Sequence, residues 1–478
     1  MNRILFIEPK SPDLHIFSTF ALPRLGTILL ATIAKEHGYE CRVLIENIEE
    51  LNSELLWEFD LVAISTITST APRAYAIADY CRKIGIPVVL GGSHVTFCKD
   101  EALEHADFVI RGEGEKAFLK LVDALNYDYS LNDVPNLSFK NGSEIIHNST
   151  EEHIFNLDEL PHPDFTLIQG GMKNLNNTRI IPVQTSRGCP FDCTFCSVTT
   201  MFGHKYRFNS VEYVLEEIFE YNDDPNNFIF FYDDHFLANR KRTKQLLEEM
   251  IRRKFRLKWS AQVRADISKD EELIRLMKQA GCQTVFIGFE STNPDSLLSM
   301  KKKQDVNDSI QAIYILKKYK IAIHGMFVFG FDEDTAKSCN ATIKFAKRHK
   351  LSSVQFLLLT PFPGTSLYEK LINENRILLN DWSFYDAHHV VFQPRNFSIL
   401  ELQLAQMKGH KKFYSQIQLM RRIFLLRIEE AVINIYARRL NRFWKKLNKP
   451  YLKLANLVRN SKCFEIKFNI KKPVNILE

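Results

Sequence analysis

Length, composition and charge narrow the class of protein before any motif is considered. The 478 residues exceed one ordinary hydrophobic core, so two or three domains are expected. The content of 45% hydrophobic and 25% charged residues, with a mean hydropathy of −0.19, is typical of a globular protein in water. The sequence contains no run of 18 apolar residues, which argues against a membrane-spanning helix.

Cysteine usage and the first residues of the chain indicate the cytoplasm. The chain begins with a segment that reads as a β-strand and lacks the apolar stretch and cleavage site of a signal peptide. Nine cysteines are spread without regular spacing, and only three of them cluster, so a disulfide framework is not expected. The three clustered cysteines therefore need another role.

Residues 1–130 alternate short apolar runs with helix-length stretches at about 26–37, 71–83 and 114–126. This alternation predicts an α/β domain with a doubly wound, Rossmann-like parallel sheet, whose ligands bind beyond the carboxyl ends of the strands. The predicted strands are Ile4–Glu8, Cys41–Ile45, Leu61–Ser65, Pro87–Gly91 and Phe108–Arg111.

Small or hydroxylated residues follow three of these strands, at Ser65–Thr70, Gly91–His94 and Gly112–Glu115. Their recurrence favours a broad, flat ligand that the backbone approaches closely. The alternative is that the glycines only form turns.

Residues 131–178 are polar and rich in Asn, which predicts a linker with room for a small hairpin. From 179 to 395 the alternation resumes with longer periods and predicts a partial (β/α)6 TIM-like barrel with its active site at the carboxyl ends of the strands. Residues 396–478 are predicted to form a basic helical C-terminal region. The predicted barrel strands are 180–186, 228–233, 257–264, 283–289, 322–329 and 354–360, and the predicted barrel helices lie near 210–221, 240–253, 270–280, 304–318 and 334–348.

Three cysteines, Cys189, Cys193 and Cys196, directly follow the first predicted barrel strand. A structural zinc site normally closes with four ligands, and His204 is the only nearby candidate for a fourth. A 4Fe–4S cluster held by three cysteines instead leaves one iron open for a cofactor or substrate. The spacing and the loop position favour the cluster over zinc and over an incidental grouping.

The pattern Cys-x3-Cys-x2-Cys, with the aromatic Phe195 just before the last cysteine, resembles the signature of the radical S-adenosylmethionine (SAM) superfamily. The resemblance implies that the amino and carboxylate groups of SAM chelate the open iron, with Phe195 in the SAM site. One electron, from a donor such as flavodoxin or ferredoxin, then cleaves SAM to methionine and a 5′-deoxyadenosyl radical. An enclosed, dry barrel interior suits such a radical.

Polar residues at successive predicted strand ends match the pattern of the same family. Asp233 and Asp234 are suited to accept hydrogen bonds from the SAM ammonium, and Arg264 is suited to bind the SAM carboxylate. Glu290, with Ser291 beside it, is suited to the ribose hydroxyls or the amino group. Taken singly, paired aspartates often cap helices and an Arg–Glu pair is usually structural, but the recurrence in chain order favours a SAM site.

The N-terminal domain resembles the cobalamin-binding domain that is fused to many radical SAM enzymes, through Pro23–Gly26, Gly91–Phe97 and Gly112–Glu115. The resemblance implies a corrin that packs against these strand ends and faces the barrel. The candidate cobalamin-binding residues are Leu25, Gly26, Ser65, Thr66, Thr68, Gly91, Gly92, Ser93, His94, Gly112, Glu113 and Gly114.

One departure from the cobalamin mutases concerns the lower ligand of cobalt. Their Asp-x-His-x-x-Gly loop is matched by Asp13–Ser18, except that Ser18 stands in the glycine position. A surface position is therefore preferred for His15 over a cobalt ligand. A domain that has kept this fold without cobalamin stays open.

With cobalamin, the resemblance implies methylation of an unactivated carbon on an apolar or lipid-like substrate, since the family includes enzymes acting on hopanoids and other lipids. Without cobalamin, the same radical would drive carbon–carbon coupling, cyclisation or rearrangement. A third interpretation is a non-catalytic cobalamin or redox sensor. No motif identifies the substrate, and Tyr385, His388 and His389 are equally compatible with the substrate cavity and with core or surface positions.

The positive charge of the chain is concentrated at its C-terminal end. Residues 411–478 contain 17 Lys and Arg against 4 Asp and Glu, whereas the rest of the chain contains 46 against 53. Between 411 and 453 apolar residues at helical spacing lie beside clustered cations. This pattern fits a helical cap with its charges in water, or peripheral contact with a membrane surface. Nucleic acid is not expected as a partner, because no nucleic-acid-binding module accompanies the charge.

Overall fold

The computed structural model describes residues 1–11, 22–150, 153–172 and 178–457. It consists of an N-terminal sheet domain, a second parallel sheet that forms an open barrel, and a helical C-terminal region. The predicted α/β fold class and the predicted order of its three parts are confirmed. His15 lies outside the described residues.

The N-terminal sheet has seven strands in the order β2-β1-β3-β4-β5-β6-β7, and its first five strands are parallel. The connection reverses direction between β1 and β3, which is where ligands bind in doubly wound sheets. The strands are β1 (Arg3–Glu8), β2 (Glu40–Ile45), β3 (Leu61–Ser65), β4 (Val88–Gly91), β5 (Phe108–Ile110), β6 (Leu137–Asn141) and β7 (Glu144–His147).

The helices of this domain cover both faces of the sheet and bury two apolar clusters against it. They are α1 (Leu25–Glu36), α2 (Ser53–Leu56), α3 (Ala71–Lys83), α4 (Ser93–Phe97), α5 (Lys99–His105) and α6 (Glu115–Tyr127). Strands β6 and β7 form an antiparallel hairpin inside the segment that was predicted as a linker. The hairpin extends the sheet because β6 pairs with β5.

The second sheet has six parallel strands, which are adjacent in chain order and leave the barrel open on one side. They are β8 (Arg179–Val183), β11 (Asn227–Phe231), β12 (Lys258–Val263), β13 (Cys282–Glu290), β14 (Ala322–Phe329) and β15 (Ser353–Leu358), while the short pair β9 (Ser186–Arg187) and β10 (Arg207–Phe208) lies between β8 and β11. The helices are α7 (Val198–Phe202), α8 (Val211–Phe219), α9 (Arg240–Arg252), α10 (Glu271–Gln279), α11 (Pro294–Ser299), α12 (Val306–Lys318), α13 (Ala336–Arg348) and α14 (Ser366–Asn373).

Helices α15 (Ile399–Phe413), α16 (Gln416–Phe424), α17 (Ile428–Leu447) and α18 (Lys449–Leu457) form the C-terminal region. Helix α15 covers the edge strand β15 with polar side chains. His410 Nε2 accepts from the Phe356 amide at 3.1 Å, and the Tyr414 hydroxyl donates to the Val354 carbonyl at 2.7 Å. These bonds satisfy an edge that would otherwise present unpaired backbone groups. No helix in the described part of the chain combines the length and hydrophobicity that a bilayer crossing requires.

Candidate active site

A cavity of about 430 Å³ lies where the carboxyl ends of the two parallel sheets face each other. Residues that follow β3, β4 and β5 form one wall of this cavity. The opposite wall comes from the ends of β8 and β11 and from α7. A site at this place has access to ligands that are held by either domain, as the rule for strand ends in parallel sheets predicts.

Most of the candidate cobalamin residues line this cavity. They are Leu25, Gly26, Ser65, Thr66, Gly91, Gly92, Ser93, Gly112, Glu113 and Gly114. Thr68 and His94 lie elsewhere. Thr68 is buried in a short helical turn, and His94 is buried with its Nε2 3.1 Å from the Tyr75 hydroxyl and its ring against Trp382.

Glycines give the N-terminal wall its shape. Gly92 has a φ of 100°, and a Cβ there would overlap the backbone of Thr66, so this position accepts no side chain. At Gly26 and Gly112 a Cβ would meet no protein atom within 4 Å, although both residues line the cavity. Side chains at these two positions would therefore occupy cavity space. The missing side chains expose backbone at these points, so a macrocycle such as a corrin can approach the wall closely there.

The cysteine loop runs from Cys189 to Cys196 between β9 and α7, and its three thiols are free and partly accessible. Backbone bonds hold the loop in place, including one from the Cys196 amide to the Cys193 carbonyl at 3.1 Å. Burial raises the pKa of Cys196 to about 12, so its thiolate forms only with a compensating metal charge. Burial also raises the pKa of the Cys189 thiol, so at these two positions the thiolate form needs a compensating charge such as a metal.

The spacing of the three sulfurs separates a cluster from a single ion. Tetrahedral Zn–S bonds of about 2.3 Å place two sulfurs roughly 3.8 Å apart. Within the described ranges, three donor atoms of His, Cys, Asp or Glu come within 4.8 Å of one another only at His94, Cys98 and Glu101. The thiols of Cys189, Cys193 and Cys196 are not drawn together to this distance, so the loop is not closed around a site of zinc size.

Asp233 and Asp234 are adjacent in sequence but point to different surroundings. Asp233 is fully buried, and its Oδ1 accepts from the Thr185 amide at 3.1 Å and from the Ser186 hydroxyl. Asp234 lines the cavity. Burial, followed by the charge of Asp233, raises the pKa of Asp234 to about 7, whereas burial raises the pKa of Asp233 to about 6. Of the two carboxylates, Asp234 is the one placed to meet a ligand in the cavity.

Arg264 contacts the cysteine loop on one side and the segment around Lys302 on the other. Its guanidinium lies 3.7 Å from the centre of the Phe191 ring and donates to the Lys302 carbonyl. Its buried Nε has no partner among the described residues, which leaves a donor for an incoming acceptor. Phe195 packs against Phe331, with ring centroids 5.8 Å apart. Both contacts join the cysteine loop to the barrel.

Glu290 lies at the end of β13 in a strained conformation, with a φ of 60°. Its carboxylate is paired with Lys302 Nζ at 2.6 Å, and both side chains are buried. Ser291 accepts from the Asn293 amide at 3.0 Å and so begins the turn into α11. Sequence reasoning missed Lys302, because it is the second of three consecutive lysines and no periodicity distinguishes it.

A buried ionic network joins the two domains at the cavity. The Glu113 carboxylate forms ion pairs with the guanidinium of Arg207, at 2.6 Å, and with that of Arg187, at 3.4 Å. Arg187 also forms an ion pair with Glu115 at 2.7 Å. Burial disfavours the charged form of Glu113, but Arg207 and Arg187 outweigh it and lower the pKa of this carboxyl. Arg187 is two residues before Cys189, so the network fixes the cysteine loop against the N-terminal domain. Neither arginine was a sequence candidate.

Tyr385, His388 and His389, whose placement the sequence left open, lie in the core. The Tyr385 hydroxyl donates to the Leu379 carbonyl at 2.8 Å, and His389 lies 2.9 Å from both Asp386 and Asn448. The ring of His388 is 3.2 Å from the Gln406 amide. These three residues tie the helical region to the barrel and do not line the cavity.

The fold and this site define an α/β enzyme in which an iron–sulfur loop lies opposite glycine-rich strand ends of the kind that bind nucleotides or corrins. The Radical SAM superfamily matches residues 183–346, and the B12 binding domain matches residues 18–122. An uncharacterized methyltransferase of Pyrococcus horikoshii is 33% identical over 87% of this chain and 92% of its own.

Two further proteins are similar. The bacteriochlorophyllide d C-12(1)-methyltransferase of Chlorobaculum tepidum is 30% identical over 88% of this chain and 89% of its own. The solved structure of the cobalamin-dependent SAM radical enzyme OxsB, with aqua-cobalamin and SAM bound, has a TM-score of 0.68 at 17% identity and covers 98% of this chain and 76% of that one. The chain belongs to the cobalamin-dependent radical SAM enzymes. Its cofactors are a 4Fe–4S cluster, SAM and cobalamin, as the sequence predicted.

Proposed function

We propose that this enzyme methylates an unactivated carbon of a large, flat, apolar substrate. The observation that carries the proposal is one shared cavity, lined both by the glycine-rich strand ends of the N-terminal sheet and by residues on either side of the cysteine loop. When bound, cobalamin would supply a methyl group that it takes from one molecule of SAM, and a second molecule of SAM would supply the radical chemistry that opens a carbon–hydrogen bond. One cavity allows both to serve the same substrate carbon.

The residues of the chain have distinct parts in this proposal. Cys189, Cys193 and Cys196 would hold the cluster, and Asp234 would accept a hydrogen bond from the iron-bound amino group of SAM. The free Nε of Arg264 binds the SAM carboxylate. Glu290 meets the ribose hydroxyls while Lys302 neutralises its charge and fixes its direction.

The inner face of the barrel carries aromatic side chains that suit a ring system. Along β11 and β13 the residues that alternate with the buried core, Phe230 and Phe286, are half-buried, and their rings meet edge to face at 5.6 Å. The same face carries Met326 and Leu357, and beside them the polar side chains of Gln262, His324 and Gln355. Such a surface binds ring systems through aromatic contacts and offers hydrogen bonds to their substituents. The similarity to an enzyme that methylates bacteriochlorophyllide d supports a substrate of that size and shape.

Reduction of the cluster requires an electron from outside the chain. We infer a small reduced carrier such as flavodoxin or ferredoxin, because the cluster chemistry consumes one electron at low potential. A cytoplasmic enzyme has access to such carriers, and the free cysteines of the described chain suit a reducing compartment.

The test is an isotope experiment with the anaerobically reconstituted enzyme. SAM with a trideuterated methyl group, cobalamin, a chemical reductant and the apolar extract of the source cells are incubated together. We expect 5′-deoxyadenosine and a product that carries the trideuterated methyl group. Deoxyadenosine with an unlabelled product would instead show coupling, cyclisation or rearrangement. The absence of deoxyadenosine at full cluster and cobalamin loading would show a sensor.

The matched control is enzyme reconstituted with the cluster but without cobalamin. We expect this form to cleave SAM and to release no labelled product. Labelled product at the wild-type rate without cobalamin would contradict the proposed role of the N-terminal wall.

A further inference from the structure

The turn between α16 and α17 presents a cluster of exposed apolar side chains. Half of the exposed large apolar residues of the described chain fall within 417–457, about a tenth of its length. The most exposed are Phe424 at 86% and Leu426 at 81%. We call this surface the hairpin face, defined by Ile417, Met420, Phe424, Leu426, Ile428 and Val432. A contiguous patch of this kind on a globular protein marks a contact surface.

The hairpin face is not a frayed end, because the opposite side of the same two helices is anchored. Arg422 is buried and donates to the Ser352 carbonyl at 3.1 Å, and its guanidinium lies 5.3 Å from the Phe413 ring. Arg422 also pairs with Glu430 at 3.5 Å. Asn434 is fully buried on the same side.

The polarity of α16 is therefore inverted relative to an ordinary surface helix, because Arg422 is its one buried residue while Phe424 faces outward. Helix α17 buries Asn434 together with Ala431, Ala437 and Trp444. Burying polar groups costs free energy unless each is hydrogen-bonded, and leaving large apolar side chains in water adds a further unfavourable contribution. This arrangement is favourable when the outer side meets an apolar medium.

The charges around the hairpin face identify that medium. Residues 411–457 contain 12 Lys and Arg against 2 Asp and Glu. Arg421 and Arg427 are exposed within the face itself. Cations beside inserted aromatic and aliphatic side chains match the phosphates and acyl boundary of an anionic bilayer. A second copy of the chain would bring the same positive charge opposite, and like charges disfavour that pairing.

We propose that the hairpin face docks on an anionic lipid bilayer, with Phe424 and Leu426 inserted among the headgroups and Arg421 and Arg427 paired with lipid phosphates. This docking is independent of the reaction proposed above. It requires no membrane-spanning helix, because the helices lie on the surface.

The test is co-sedimentation of the full chain with vesicles. The probes are vesicles of phosphatidylcholine alone and vesicles that also contain phosphatidylglycerol. We expect the wild-type protein to sediment with the anionic vesicles, and to bind them less at raised salt. The doubly substituted variant Phe424→Ser, Leu426→Ser should bind about tenfold or more weakly, since it loses two inserted apolar side chains.

The matched control is Leu298→Ser, which removes a leucine that is 80% exposed on the barrel helix α11. It should bind vesicles like the wild type. Circular dichroism and cluster content of each variant show that the fold is intact. The proposal is overturned if the wild type stays in the supernatant with anionic vesicles, or binds the neutral vesicles equally, or if the double variant sediments unchanged. It is also overturned if the wild type is a dimer that the double substitution makes monomeric.

Discussion

The two walls of the cavity are built from different chemistry. The wall from the N-terminal sheet brings backbone and small residues, such as Gly26, Ser65 and Gly112, to the cavity, whereas the barrel side contributes the charged Asp234 and the residues Arg187 and Ser197, between which the cysteine loop runs. Backbone recognises a ligand by shape and is sensitive to added volume. Charged side chains and a metal-binding loop recognise a ligand by its donors and are sensitive to lost groups. The difference matches a corrin on one side and an iron-bound amino acid cofactor on the other.

The largest effect is expected from the barrel wall. Cys193→Ser removes one of three cluster ligands, so SAM cleavage should fall to below about a thousandth of the wild-type rate. Cluster absorbance and iron content should fall together with it. The control is Cys98→Ser, which changes a half-buried thiol outside the loop and should leave deoxyadenosine formation unchanged. Wild-type cleavage by the Cys193 variant would exclude the proposed ligand set.

At the N-terminal wall, cobalamin binding should be lost when volume is added, whereas at the barrel side function is lost when a group is removed. Gly92→Ala places a methyl group against Thr66, so the strand end must shift and cobalamin should bind about a hundredfold more weakly. SAM cleavage should persist, because the cysteine loop is untouched. Gly38→Ala is the matched control, since Gly38 has a similar φ of 93° with no atom within 4 Å. It carries the backbone strain without the overlap. Equal cobalamin retention in the two variants would mean that the overlap has no consequence.

A smaller effect is expected from the buried pair behind the SAM site. Lys302→Met leaves the Glu290 carboxylate buried without its partner, which should weaken SAM binding by about 10-fold to 100-fold. The effect should appear in the KM for SAM, while cobalamin retention stays normal. Lys301→Met, at the exposed neighbouring lysine, is the control. If both variants have the wild-type KM, Glu290 does not contact SAM.

The smallest effect is a pH dependence of SAM binding. Asp234 has a pKa raised to about 7, so it is largely neutral at pH 6 and charged at pH 8. The charged carboxylate is the better acceptor for the N–H groups of the iron-bound SAM amine, and affinity should therefore rise up to about tenfold between these pH values. Calorimetry under anaerobic conditions measures this dependence. Asp234→Asn should flatten it.

Asp233→Asn is the control for that dependence. It removes the neighbouring charge that helps to raise the pKa of Asp234, so the rise in affinity should persist and move to lower pH. A dependence that survives unchanged in Asp234→Asn would assign the titration to another group.

The raised pKa values also affect stability. Asp233 and Asp234 bind protons more tightly in the folded enzyme than in the unfolded chain, because their folded pKa values exceed the usual 3.8. Their protonation therefore favours the cofactor-free fold at low pH, and this contribution is lost as the pH rises through about 6 to 7. Bound SAM would restore this contribution to the free energy of unfolding at higher pH, because the charged Asp234 then has the SAM amino group as its partner.

Local patterns in the sequence determined the fold class, the order of the domains and the nature of the metal site. Strand and helix periodicity is a property of neighbouring residues, so the two parallel sheets could be predicted from it. The cysteine motif spans eight residues, from Cys189 to Cys196, and the loop that carries it needs no distant partner to be recognised. The glycines at Gly91, Gly92 and Gly112 were identified because they follow strands.

Only the tertiary structure decided which of the candidate residues face the cavity. It separated Asp233 from Asp234 and turned His94 away from the N-terminal wall. Glu113 lines that wall, but its carboxylate binds Arg207, which is 94 residues away in the chain. Such pairs depend on how distant segments cross, and neither periodicity nor spacing contains that information. The inverted polarity of α16 has the same origin, since a helix gains an inner side only when it packs against the rest of the chain.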